Sequence, residues 1–72
     1  MKGYTRTMNI IVERRESNYF STNEYVLKDA EGTIMGAVYG YGDWSRRLAA
    51  DALDYLTSNH DVSRRNVRFI HT

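Results

Sequence analysis

Only one stretch of this sequence repeats its apolar residues at helical spacing. Trp44, Leu48, Ala52, Tyr55 and Leu56 fall on one side of a helix, with Ala49 at its edge, and Arg47, Asp51, Asp54 and Ser58 fall opposite. The spacing predicts a helix over Trp44–Ser58. Gly42-Asp43 breaks the preceding run, and the Asp43 carboxylate is expected to cap the free amides of the first turn. Asp43 and Arg47 then stand four apart in the favourable order, worth about 0.3 kcal/mol. Ser58-Asn59-His60-Asp61 ends the helix, since Asn tolerates a left-handed cap. A chain with a single helix can cover only one face of whatever sheet the rest of it builds.

The rest reads as strands. Tyr4 to Arg14 alternates loosely, with Tyr4, Met8, Ile10 and Val12 on one parity and Thr5, Thr7, Asn9 and Glu13 on the other. Arg15-Glu16-Ser17-Asn18 is polar and turn-like, and a second strand is expected from Thr22 to Lys28. Asp29-Ala30-Glu31-Gly32 matches a type I turn closed by a left-handed glycine. A third strand follows over Thr33–Tyr41, and Arg65–His71 forms a short final strand with Val67 and Phe69 on one face. The expected architecture is α+β in the order β-β-β-α-β: a four-stranded, mostly antiparallel sheet with one helix packed on one face. The fourth strand should lie parallel beside the first, in the order 3-2-1-4, through a right-handed crossover.

The third strand is apolar on both parities. Ile34, Gly36, Val38 and Gly40 share one face, and Met35, Ala37, Tyr39 and Tyr41 share the other. Glycines on a strand allow close backbone approach, so the first set is expected beneath the helix, where Ala49 and Ala52 are small in the same way. Met35, Tyr39 and Tyr41 then lie on the open face or at its margin. Together with Tyr25 they are the candidate partner-binding residues, because Tyr and Met beside Arg is the composition of interface hot spots. The ordinary account of the same residues is a few half-covered rings on a wet surface.

Seventy-two residues make one domain, 1–72. A chain this short buries only about 60% of its unfolded surface and commonly gains stability from a disulfide, a metal or a partner. There is no cysteine, and two histidines without a thiolate make a poor zinc site, so no metal or cofactor is expected. A homodimer or a larger protein partner is the staple that remains. No stretch approaches the roughly 20 apolar residues of a membrane span. Met1-Lys2-Gly3-Tyr4 lacks the apolar core of a signal peptide. The expected compartment is the cytoplasm.

Net charge is +1, and eight of the ten basic residues are arginine. Arg46, Arg47, Arg64, Arg65 and Arg68 are the candidates for contacting nucleic-acid phosphates. Interleaved acids make a solvated, salt-bridged surface the simpler account of them. Gly40-Tyr41-Gly42 sits between strand and helix, where a phosphate-cradling turn would be, but Ser45 stands in place of the third glycine, so plain turn usage is expected. His60-Asp61-Ser63 is the only cluster with catalytic residue types. It lies at a helix end, where such residues serve as caps and turns, and the chain is not expected to be an enzyme.

From Tyr25 to Leu56 the chain resembles the double-stranded RNA-binding domain. Gly36, Gly40 and Gly42, then Ser45-Arg46-Arg47 and Ala49-Ala50-Asp51-Ala52-Leu53, are similar to that family's glycine-bearing third strand and basic, alanine-rich last helix. The resemblance implies phosphate contacts at Arg46 and Arg47. The family's first helix is missing here, the last helix is about a turn shorter, and a strand follows it. In size, cysteine-free composition and hairpin–helix–strand layout over Tyr25–His71, the chain is also similar to small phage-encoded host-takeover proteins, among them inhibitors of bacterial RNA polymerase and of CRISPR effectors. That resemblance implies a protein that blocks or locks a larger complex. Many such inhibitors are strongly acidic mimics of DNA; at +1 this chain departs from them, which points to shape and hydrogen bonding. The alternative is a nucleic-acid-binding domain that sets arginines on phosphates and stacks bases on tyrosines.

Overall fold

The computed structural model describes residues 7–72. Strands β1 (Met8–Glu16), β2 (Asn23–Lys28) and β3 (Ile34–Gly40) are followed by helix α1 (Arg46–Asn59), a 3-10 turn (Arg64–Asn66) and strand β4 (Val67–His71). The sheet order is β3-β2-β1-β4, with β1 antiparallel to β2, β2 antiparallel to β3, and β4 parallel to β1. The α+β architecture and the strand order are those expected from the sequence. The part of the first strand expected over Tyr4–Arg6 lies outside the described residues.

Alternation along the strands builds the core. Ile10 and Val12 on β1, Tyr25 and Leu27 on β2, and Val38 on β3 point to the same side, where Leu48, Ala52 and Leu56 of α1 meet them. Met8, Met35, Trp44, Val62, Val67 and Phe69 close the margin. The glycines of β3 set how closely the helix sits. A Cβ on Gly40 would lie 2.9 Å from Leu48 Cδ2, and one on Gly36 would enter the Tyr55 ring. The Asp29–Gly32 turn also forms as expected. Gly32 N donates to Asp29 O (3.0 Å), Asp29 Oδ1 accepts from the amides of Glu31 and Thr33 (2.9 Å each), and Gly32 has φ +88°.

Several expectations are corrected. β1 runs on through Arg15 and Glu16, which read as turn, and α1 ends on His60 in extended backbone (φ −136°, ψ 154°), not on a left-handed Asn. The helix begins at Arg46, not Trp44, and its cap is Ser45, whose Oγ accepts from Leu48 N at 3.2 Å. Asp43 is fully exposed outside the helix, so it pairs loosely with Arg14 (3.9 Å) and not with Arg47. The cause is Trp44. Its ring packs against Tyr25, Phe69 and His71 at centroid distances of 5.3, 5.2 and 5.0 Å, which holds this residue below the helix and leaves Ser45 to start it. A further departure is on β3. Leu27 pairs with Gly36 but Lys28 pairs with Ile34, so Met35 is an extra residue in a β-bulge. The bulge resets the alternation: Ile34, expected beneath the helix, is 57% exposed on the opposite face, while Met35 packs against the core. The Met35 carbonyl accepts a hydrogen bond from His60 Nε2 (2.9 Å), which ties the bulge to the end of α1.

Candidate interaction surface

The face of the sheet away from α1 is mixed: charged residues of β1 and β2 stand among the apolar residues and the Tyr39 ring that β3 alone suggests. Cross-strand partners share a face, so its rows run Ile34–Lys28–Ile11–Ile70, Ala37–Val26–Glu13 and Tyr39–Glu24–Arg15. Lys28 Nζ and Arg15 Nε each donate to the Glu13 carboxylate at 2.7 Å, and Tyr39 OH donates to Glu24 Oε2 at 2.7 Å. These bonds hold Glu13 ionised, lowering its pKa from 4.5 to about 2, the Lys28 bond contributing most and the Arg15 bond next. The Glu24 carboxylate raises the pKa of the Tyr39 hydroxyl, first through the hydrogen bond and then through its charge. Val26 lies in the middle of this face and is nevertheless buried, apart from the main core.

The exposed aromatic surface lies at one end of the molecule. Tyr19 is 67% exposed, Phe20 70%, Tyr39 56% and Tyr41 73%. Tyr19 and Phe20 sit on the β1–β2 connection, their rings edge to face with centroids 4.4 Å apart. Tyr39 comes from the end of β3, and Tyr41 follows it. Two grooves adjoin here and share Thr22 and Tyr39. One, of about 480 Å³, is lined by Ser17, Tyr19, Thr22 and Tyr39. The other, of about 310 Å³, carries Tyr39, Tyr41, Ser45 and Arg47 on its walls.

The local backbone at this end is strained. Thr22 N donates to Tyr19 O at 3.0 Å, closing a four-residue turn whose central residues, Phe20 and Ser21, have φ +48° and +59°. Positive φ at both centres is the signature of a type I′ hairpin turn, for which Asn-Gly is the preferred pair. A bulky aromatic there is a backbone outlier. Thr22 anchors the turn from below: it is buried, and its hydroxyl donates to Tyr19 O at 2.7 Å.

The candidate residues separate on this scaffold. Tyr39 and Tyr41 belong to the aromatic end. Met35 is half-buried at the bulge. Tyr25 presents no surface: it is 3% exposed beneath the helix, its hydroxyl donating to Gly42 O at 2.6 Å. Asn23 Nδ2 donates to the same carbonyl at 2.8 Å, so the Gly40-Tyr41-Gly42 segment is a turn anchored on β2. The arginines form no single patch. Arg46 and Arg47 open α1, whereas Arg64 and Arg65 follow its far end, about 21 Å away along a 14-residue helix. Arg64 donates to Asp54, and Arg68 lies on β4, at the opposite edge of the sheet from β3. Tyr19 and Phe20 were not among the candidates. Their signal is in the sequence nonetheless: two adjacent aromatics in a connection between strands, where neither has a sheet face to bury.

Among the described residues, no group of three or more His, Asp or Glu side chains stands together as a metal-binding cluster, and no helix is long and apolar enough to cross a membrane. The chain matches no family model, no curated protein and no solved structure.

Proposed function

We propose that this chain is a small non-catalytic interaction module that binds a larger macromolecular complex, and inhibits or regulates it, through its aromatic end. The observation that carries this reading is the gathering of Tyr19, Tyr39 and Tyr41 around two adjoining grooves, with Phe20 against Tyr19, all four largely exposed. Large exposed rings give contact area at low entropic cost, and they dominate the energetics of protein interfaces. A small domain with a thin core also has most to gain from a partner. The layout shared with phage host-takeover proteins points to a multi-subunit machine of the host RNA polymerase or CRISPR-effector class.

The test is capture of a partner from lysate of the source cell by the tagged chain and by a Tyr39→Ala/Tyr41→Ala variant. Both positions are exposed, so the variant keeps its fold, which circular dichroism and Trp44 fluorescence verify. The reading predicts that the parent chain captures a defined complex and the variant does not. Equal capture by a folded variant places the interface elsewhere.

A second reading rests on Arg47 sharing a groove with Tyr39 and Tyr41, which would suit a phosphate beside a stacked base. Direct oligonucleotide binding that weakens steeply with salt supports it; no binding of duplex or single strand at low salt ends it. Light scattering at high concentration tests a homodimer.

A further inference from the structure

Resting on the interaction reading above, we infer that the aromatic end receives an extended acidic segment of a protein partner, with a carboxylate on Arg47 and apolar side chains between the rings. Four carboxylates lie near this end and two are engaged within the chain: Glu24 accepts the Tyr39 hydroxyl, and Asp43 faces Arg14 at 3.9 Å. Glu16 ends β1, exposed and opposite Asn23, and Asp51 lies one turn along α1 from Arg47; among the described residues neither forms an ion pair. Among the described residues neither Arg46 nor Arg47 forms an ion pair, and Met1–Arg6 contains no carboxylate side chain that could supply one. Arg47 therefore brings an uncommitted guanidinium to the wall of the groove that Tyr39 and Tyr41 also line.

Local stability does not explain these arginines. Helix starts favour acidic residues because the aligned peptide dipoles are positive there, yet the first turn of α1 has no acid and two arginines. Phe20, at positive φ, breaks a local rule at the same end of the molecule. Such departures gather where a surface serves something other than folding.

The same charges choose between occupants. A nucleic-acid strand calls for a run of free cations along its backbone; Arg64, Arg65 and Arg68 are too far from Arg47 to extend the track, and Arg14 and Arg15, nearer to it, face Asp43 and Glu13. One or two guanidiniums beside apolar grooves match a segment carrying one or two carboxylates among apolar side chains. A guanidinium holds a carboxylate through two parallel hydrogen bonds.

The experiment is an amide-resolved NMR titration of the full chain. The probes are a synthetic peptide of repeated Glu-Phe-Asp-Leu, the same peptide with Lys in place of both acids, and oligothymidylate. The inference predicts that the acidic peptide alone shifts the amides of Thr22, Tyr39, Tyr41 and Arg47, and that Arg47→Glu weakens it about tenfold or more. Arg47→Glu places an acid at a helix start, so this variant folds. Arg47→Lys, which keeps the charge and loses the fork, should weaken binding less. Equal binding of the basic peptide overturns the inference. So does tighter binding of oligothymidylate at the same amides, which would make the site one for nucleic acid. Shifts of those amides on dilution alone would make a second copy of the chain the occupant, and would overturn it as well. If the acidic peptide fails while Tyr39→Ala/Tyr41→Ala still abolishes partner capture, the aromatic surface stands and only its preference for acid falls.

Discussion

Ser45 and Asp43 are both good cap residues two positions apart, and the side chain between them decides which one acts. Trp44 is pulled into contact with Tyr25, Phe69 and His71, so the chain enters the helix at Ser45 with extended dihedrals of −134° and 170°. Ser45→Ala should therefore cost about 1 kcal/mol in urea denaturation, while Asp43→Ala should cost only a few tenths. Equal losses would return the cap to Asp43. Glu13 makes a separate prediction at the same scale. Its folded pKa of about 2 lies below the ordinary 4.5, so its two bonds stabilise the fold fully above about pH 4.5. That contribution fades as pH falls from about 4.5 through 2. Glu13→Gln should flatten the fall in stability across this window, measured as denaturation midpoint against pH. A parallel drop in variant and parent would show that the Lys28 and Arg15 bonds do not persist in solution.

At the scale of elements, much of the architecture is legible in residue order. Helical spacing marks α1, alternation marks β1, and Asp29 to Gly32 gives the chemistry of the β2–β3 turn. Gly36 and Gly40 forecast a helix lying close on β3, as the contacts with Tyr55 and Leu48 show. Gly40→Ala should cost about 1–3 kcal/mol by thermal or urea denaturation, because the new methyl would lie 2.9 Å from Cδ2 of the buried Leu48, which must shift to admit it. A neutral result would mean that α1 rides higher on the sheet. The bulge at Met35 was not legible. Period-two reasoning assumes that every residue has one partner, and an inserted residue changes face assignment from that point on. Ile34 and Met35 exchanged surroundings for that reason alone.

For the whole molecule, the single helix does leave one sheet face uncovered, but the neighbouring strands decide its character. Glu13, Arg15, Glu24 and Lys28 place a hydrogen-bonded polar layer there. The surface proposed for a partner lies instead at the end of the sheet, where Tyr39, Tyr41, Tyr19 and Phe20 are largely exposed. Tyr39 and Tyr41 could be found from β3; Tyr25 could not be excluded, because parity alone does not say which face a helix will take. Tyr19 and Phe20 stayed hidden because a short connection between strands is expected to hold small and polar residues, and only the dihedrals show how far this one departs. On the reading proposed above, this end gives up local stability to keep an aromatic surface. Phe20→Asn/Ser21→Gly installs the pair that a type I′ turn prefers, relieving about 1 kcal/mol or more of left-handed strain while removing an exposed ring. The deciding measurement is partner capture by this variant at matched concentration. The account predicts a chain that unfolds at higher urea than the parent yet captures less of its partner; a variant that captures as well as the parent would contradict it.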